Sequence, residues 1–123
     1  MSNELNLMVT VRSNDVPLGM PFNVTQYAAL CCLVAHGTGL KPGKMTYVIN
    51  NAHIYSNQVK GVLEQVHKAK DYEKEHGELP KAPTLWLNPD KHDFFAFDNS
   101  KELADIKLVG YEHLGKISMP VTE

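Results

Sequence analysis

Leu5, Leu7, Val9 and Val11 alternate with Asn6, Met8, Thr10 and Arg12. That alternation predicts a strand with one buried face and Arg12 on the other. Pro17, Gly19 and Pro21 interrupt residues 13–23, which read as a turn-rich connection unable to keep a regular ladder. From Val24 to Ala35 the chain is apolar nearly all round, which predicts a helix buried on most sides. His36-Gly37, then Gly39-Leu40-Lys41-Pro42-Gly43, end it. Met45 to Tyr55 reads as a second strand, and a regular pleat puts Asn51, His53 and Tyr55 on one face. Ser56 is the predicted N-cap of a second helix. In that helix Val59, Val62, Leu63 and Val66 keep helical spacing to about Lys74, and His76-Gly77 closes it. Thr84–Leu87 and Asp105–Val109 read as short strands. Pro120 and the β-branched content make Lys116–Val121 an extended tail. The pattern predicts an α/β (α+β) fold with a long buried central helix on a sheet.

The 123 residues suit one domain. Hydrophobic residues at 43% and charged residues at 21% argue against disorder. Lys and Arg number 12 against 14 Asp and Glu, so the net charge of -2 argues against general nucleic-acid binding. No apolar run approaches the ~20 residues that span a bilayer, so no membrane role is expected. Met1-Ser2-Asn3-Glu4 lacks the basic and apolar regions of a signal peptide. Cys31 and Cys32 are adjacent and make neither a disulfide framework nor a zinc site. They read as core residues, because a nucleophilic thiol needs an electropositive, partly open setting. His67, His76, His92 and His113 have no metal-ligand spacing, and no metal is expected. Phe94, Phe95 and Phe97 read as core or interface. A reduced, cytoplasmic protein is the expectation.

Two segments set polar chemistry beside apolar structure: Arg12-Ser13-Asn14-Asp15, with Asn23 closing its loop, and Asn51-Ala52-His53-Ile54-Tyr55. Arg12 and Ser13 offer a planar fork of donors beside a hydroxyl, which suits a phosphate. A solvated or ion-paired Arg12 is the alternative. The Asn23 amide matches the O4 acceptor and N3 donor of uracil, or else serves as an N-cap or turn residue. His53 and Tyr55 can reach a sugar hydroxyl from one strand face, or serve as structural groups.

Residues 12–27, Arg-Ser-Asn-Asp-Val-Pro-Leu-Gly-Met-Pro-Phe-Asn-Val-Thr-Gln-Tyr, closely resemble the R-S-x-D-x-x-L-G-x-P-F-N-x-x-x-Y signature of thymidylate synthases. Thr38-Gly39-Leu40-Lys41-Pro42-Gly43 is similar to the family's T-G-L-x-P-G loop. Asn51-Ala52-His53-Ile54-Tyr55-Ser56-Asn57 resembles its D-A-H-I-Y-x-N segment. Gly110-Tyr111 and Met119-Pro120-Val121 fit its final strand and tail. The resemblance implies a thymidylate-synthase-like mixed sheet and an incomplete domain, residues 1–123 being its carboxyl-terminal part. It implies a deoxyuridylate substrate, methylene-tetrahydrofolate as co-substrate, and a homodimer or a missing amino-terminal half as partner. By resemblance Arg12 and Ser13 hold the phosphate, Asn23 reads the uracil edge, and His53 and Tyr55 bond the deoxyribose hydroxyl. Asp15, Leu18, Gly19, Phe22 and Val121 face the folate, and Asp15 and Asn51 support catalysis.

The family's nucleophile is a Cys in a P-C-H motif upstream of the first signature. No P-C-H occurs in these residues, so the chain alone is expected to be inactive. Asn51 stands where the family usually has Asp, Gln58 where His is common, and Pro17 where an apolar, often aromatic, residue is common. The charged ending Val121-Thr122-Glu123 suggests a cofactor pocket sealed less well against water. That makes a viral-type deoxyuridylate hydroxymethylase, in a host cytoplasm, the alternative within the class. A non-catalytic nucleotide-binding or dimerisation module is the alternative outside it. A half-domain also exposes edge strands and apolar faces, which predicts self-association.

Overall fold

The computed structural model describes residues 3–100 and 104–122. Glu123, whose charge entered the reading of the tail, lies outside them. The element order is β1 (Glu4–Asp15), α1 (Gly19–Thr38), β2 (Lys41–His53), a 3-10 turn at Ser56–Gln58, α2 (Val59–His76), β3 (Thr84–Leu87), a 3-10 turn at Phe94–Ala96, and β4 (Ile106–Val109). The expected α/β class is present. Among the described residues the strands fall into two two-stranded sheets: β1 with β2 in parallel, and β3 with β4 antiparallel.

In β1, Leu5, Leu7, Val9 and Val11 are the more buried positions and their even-numbered neighbours the more exposed, as the alternation predicts. β1 does not stop at Arg12. Ser13 pairs with Asn51 and Asp15 with His53, so the polar segment stays in the ladder. The neighbouring strand supplies backbone partners whatever the side chains are, and the turn begins only after Asp15. α1 starts five residues before the predicted Val24. Pro21 lies in its first turn, where the N–H has no intrahelical partner to lose. α1 also runs through Gly37, where an added Cβ meets the His92 carbonyl oxygen at 2.7 Å, so the missing side chain lets the helix end lie against that loop. The stop is Gly39, whose φ of 71° is left-handed and whose N–H returns to Ala35 and His36.

β2 begins at Lys41 and ends at His53, so Tyr55 lies beyond the strand. Ser56 is not an N-cap: it opens the 3-10 turn, and α2 follows from Gln58 with no side-chain cap bond. Asp105 precedes β4 instead of opening it.

α1 packs on both parallel strands. The buried apolar residues are Val9, Cys31 and Ala35. The all-round apolar surface of α1 is not buried all round, since Phe22, Tyr27, Leu30 and Val34 stay exposed. The α2 stripe is likewise uncovered at Val59, Leu63 and Val66. The other side of α2 meets the tail: a Cβ at Gly61 would sit 3.0 Å from Met119. No described helix is long and apolar enough to cross a membrane.

A polar knot holds the 88–105 region to the end of α1. The buried Asp105 carboxylate accepts from Asn88 Nδ2 (2.8 Å), Lys91 Nζ (2.6 Å) and the Asp98 N–H (2.7 Å). His36 Nε2 lies 3.1 Å from the Asn88 carbonyl and 2.7 Å from that of Lys91. Carbonyls only accept, so Nε2 carries the proton. The Asn88 hydrogen bond, then those of Lys91 and Asp98, hold the Asp105 carboxyl down from 3.8 to about 2.

Two outcomes follow from this packing. The depressed Asp105 value stabilises the fold above about pH 4, and that contribution disappears as pH falls through about 2. Thermal unfolding therefore gives a lower Tm for Asp105→Asn than for the parent at pH 7, with the gap closing between about pH 4 and 2. The uncovered faces of α1 and α2 make the chain self-associate in light scattering; a monodisperse monomer contradicts this.

Candidate functional site

The carboxyl ends of β1 and β2 lie side by side, and the polar segments sit there. Parallel strands commonly present ligand-binding groups at this end. Asn51 Nδ2 donates to Ser13 Oγ at 3.2 Å, and His53 Nδ1 lies 3.5 Å from the same hydroxyl. The Tyr55 ring meets His53 edge-on, with centroids 5.0 Å apart. Ser13, Asn51, His53 and Tyr55 thus form one cluster, although Tyr55 is past the strand end. Arg12 alternates with Ser13 along β1 and leaves on the opposite face. It is exposed, with no hydrogen-bond or ion-pair partner among the described residues. The ion-paired reading of Arg12 therefore has no counterpart there.

Asn23 is not an N-cap. It lies inside α1, and its Oδ1 accepts from Asn14 Nδ2 at 3.0 Å. Asn14 is 6% exposed, and its own Oδ1 accepts from the Tyr47 hydroxyl at 2.8 Å. The sequence placed Asn14 in the polar segment without a role and read Tyr47 only as a strand residue.

Asp15 is fixed from two sides. One carboxylate oxygen accepts the Leu18 N–H at 3.2 Å, which closes the turn into α1. The other accepts from Gln58 Nε2 at 2.9 Å. Gln58 is fully buried; its Oε1 accepts the Tyr55 N–H at 3.1 Å, and its Nε2 lies 3.5 Å from the Pro120 carbonyl. Asn57 and Thr122 join side chains at 3.1 Å beside it. Gln58 is therefore the residue that ties Asp15, the Tyr55 segment and the tail together. Its only sequence signal was the departure from the His common in the resembling family.

The remaining residues expected at a cofactor are more dispersed. Leu18 lines a cavity of about 340 Å³ with Pro17, Lys68, Tyr111 and Met119. Phe22 lines a different, largely apolar groove of about 690 Å³ with Ala29, Leu85 and Leu108. Gly19 fits between Asp15 and Asn23, where an added Cβ makes only ordinary contacts of 3.5 and 3.7 Å. Val121 is 79% exposed while Pro120 and Thr122 on either side are tied. Leu18 and Phe22, both expected at the folate, thus line different cavities. Asp15 keeps acceptor capacity beyond its two bonds, since an ionised carboxylate offers about four lone-pair sites.

Neither thiol is set up as a nucleophile. Cys31 is buried, with Sγ 3.7 Å from the Leu5 carbonyl. Burial pushes the Cys32 thiol up, and the neighbouring Cys31 adds to that shift. No cluster of metal-binding side chains occurs among the described residues.

Comparison with known proteins gives this arrangement its family. The sequence model of thymidylate synthase matches residues 1–123. The chain belongs to the thymidylate synthase family. It is similar to the thymidylate synthase of Clostridium beijerinckii, 46% identical over 119 residues covering 97% of this chain and 41% of that protein. It is also 41% identical over 120 residues to the bifunctional dihydrofolate reductase-thymidylate synthase of Glycine max, covering 97% of this chain and 20% of that one. The solved thermostable thymidylate synthase A from Bacillus subtilis superposes with a TM-score of 0.81 at 34% identity, over 97% of this chain and 38% of its own. The chain thus spans about two fifths of the bacterial thymidylate synthases it matches.

The buried Gln58 gives a direct test of how the family site is held here. Gln58→Leu leaves Asp15, the Tyr55 N–H and the Pro120 carbonyl without their partner, at a cost of about 1–3 kcal/mol. Denaturant unfolding reads that loss, and hydrogen exchange at Val121 and Thr122 speeds up because the tail loses its anchor.

Proposed function

We propose that this chain is the carboxyl-terminal part of a folate-dependent enzyme that methylates deoxyuridylate, supplying nucleotide- and folate-binding residues but not the nucleophile. The observation that carries the reading is the convergence of Ser13, Asn51, His53 and Tyr55 at the β1 and β2 ends, beside the tethered amide of Asn23. In this reading the Ser13 hydroxyl takes the phosphate on its own face, and the unpartnered Arg12 side chain, which leaves β1 on the other face, reaches round the strand to the same phosphate. A guanidinium is always charged and donates in a planar fork, which suits an anion that stays ionised. His53 and Tyr55 meet the deoxyribose hydroxyl, and the Asn23 amide meets the O4 and N3 edge of the base.

Asp15, held by Leu18 and Gln58, presents its spare acceptor sites to N–H donors of a folate ring. Leu18, Gly19 and Phe22 cover the apolar part, and Val121 comes over it when the tail settles. Asn51 orients Ser13 through its 3.2 Å bond, so it supports phosphate binding without touching the reacting atoms. The chemistry then needs a thiolate from outside these residues. That thiolate adds to C6 of the base, and C5 attacks the one-carbon unit of methylene-tetrahydrofolate. C5 then loses its proton as the carbon–nitrogen bond to tetrahydrofolate breaks, hydride from that tetrahydrofolate reduces the resulting methylene to methyl and leaves dihydrofolate, and the thiolate departs from C6. An amino-terminal segment is the proposed source of the thiolate, and the homodimer of the family is the proposed assembly.

Two measurements test this. In calorimetry Arg12→Ala weakens deoxyuridylate about 10- to 100-fold, the worth of a charge-assisted hydrogen bond, and leaves deoxyuridine unchanged. In an assay, the chain is mixed with the P-C-H-bearing segment of a bacterial relative, deoxyuridylate and methylene-tetrahydrofolate. Dihydrofolate release is the expected result. A hydroxymethyl product with tetrahydrofolate instead makes the enzyme a hydroxymethylase, and nucleotide binding without turnover makes the chain a non-catalytic module.

A further inference from the structure

An asparagine amide does not by itself tell uracil from cytosine. Uracil presents an acceptor at O4 and a donor at N3; cytosine presents a donor at N4 and an acceptor at N3. Half a turn of the amide about its last torsion exchanges Oδ1 and Nδ2, and the turned amide matches cytosine as well as the first matched uracil. Discrimination requires something that forbids the turn.

We infer that Asn14 and Tyr47 lock the Asn23 amide in the orientation that takes uracil and rejects cytosine. The inference rests on the proposal that Asn23 reads the base edge. Asn14 Nδ2 donates to Asn23 Oδ1 at 3.0 Å, which assigns one side of the amide as oxygen. Turning Asn23 alone would set N–H against N–H inside a site where Asn14 is 6% exposed. Turning both amides together would restore that bond with its direction reversed. Tyr47 breaks the tie. Its hydroxyl donates to Asn14 Oδ1 at 2.8 Å; in the doubly turned arrangement the phenol oxygen accepts from Asn14 Nδ2 instead, and its proton is left with no acceptor among the described residues. No buried side-chain nitrogen or oxygen among the described residues lacks a partner, so the observed arrangement is fully satisfied.

The elements hold the three groups where this works. Asn14 sits at the end of β1, Asn23 in the first turns of α1 and Tyr47 in β2. Asn14 also breaks the burial rhythm of β1. The even-numbered positions before it are exposed, and it is buried. A short amide drawn inward at a strand end, between a phenol and a second amide, has a polar partner on each side. With Oδ1 engaged by Asn14 through one lone pair, Asn23 still offers its other lone pair and an adjacent N–H along one edge. That edge is the complement of uracil O4 and N3. Asn14 and Tyr47 touch no base in this account; they are positioning residues that act through Asn23.

The test is calorimetric titration of the chain with deoxyuridylate and deoxycytidylate, for the parent and three variants, each checked by circular dichroism. The parent prefers deoxyuridylate. Tyr47→Phe removes the phenolic donor, and the preference falls at least about tenfold. Asn14→Asp is nearly isosteric but has only acceptors when ionised; it pulls Asn23 Nδ2 toward itself and inverts the preference toward deoxycytidylate. Arg12→Ala weakens both nucleotides and leaves their ratio unchanged. A merely structural role for Asn14 and Tyr47 predicts weaker binding of both nucleotides at an unchanged ratio, and that result overturns the lock while leaving the nucleotide site standing. A parent that binds neither nucleotide overturns the proposed function, and the inference with it.

Discussion

The parallel pairing of β1 with β2 is the constraint on which the rest of the structure depends. It needs α1 as its crossover, because parallel neighbours cannot be joined by a tight turn. Pairing in register from Val9↔Tyr47 to Asp15↔His53 delivers two polar segments, distant in sequence, to the same end of the sheet. Ser13 meets Asn51 and His53 only because of that register. A slip by one position would send those side chains to opposite faces.

Polar side chains finish what the pairing starts. Gln58 joins Asp15 to the Tyr55 segment and to Pro120, and Asn14 joins Tyr47 to Asn23. Both amides are buried and both lie between groups of the candidate site. Burial raises the cost of breaking either set of bonds, which is why short, uncharged amides can fix the geometry of more exposed ligand-facing groups. The apolar packing contributes differently. Val9, Cys31 and Ala35 seat α1 on the strands, while Phe22, Leu63 and Val66 stay exposed.

Much of this was legible in the residues. Alternation from Leu5 to Val11 marked β1, and the order and spacing of the polar motifs identified the family. The shared face of Asn51 and His53 followed from the strand period. Other features were not legible for definite reasons. Ser13, Asn14 and Asp15 look like turn residues, and only the presence of β2 keeps them in a ladder. Pro21 looks like a helix breaker, but it falls in the first turn, where no bond is lost. An apolar helix reads as buried, yet α1 keeps an open face in this length of chain. Gln58 and Asn14 carry no pattern of their own; their roles come from partners 43 positions away in one case and 33 in the other.

The central claim is that the β1 and β2 ends, with the first turns of α1, form a nucleotide half-site within this chain. The most direct measurement is a nuclear magnetic resonance titration of the isotope-labelled chain with deoxyuridylate. The account predicts saturable shifts confined to the backbone of residues 12–15 and 51–55 and to the Asn23 side-chain amide. Shifts scattered over α2 and β3, or none at saturating nucleotide, would contradict it.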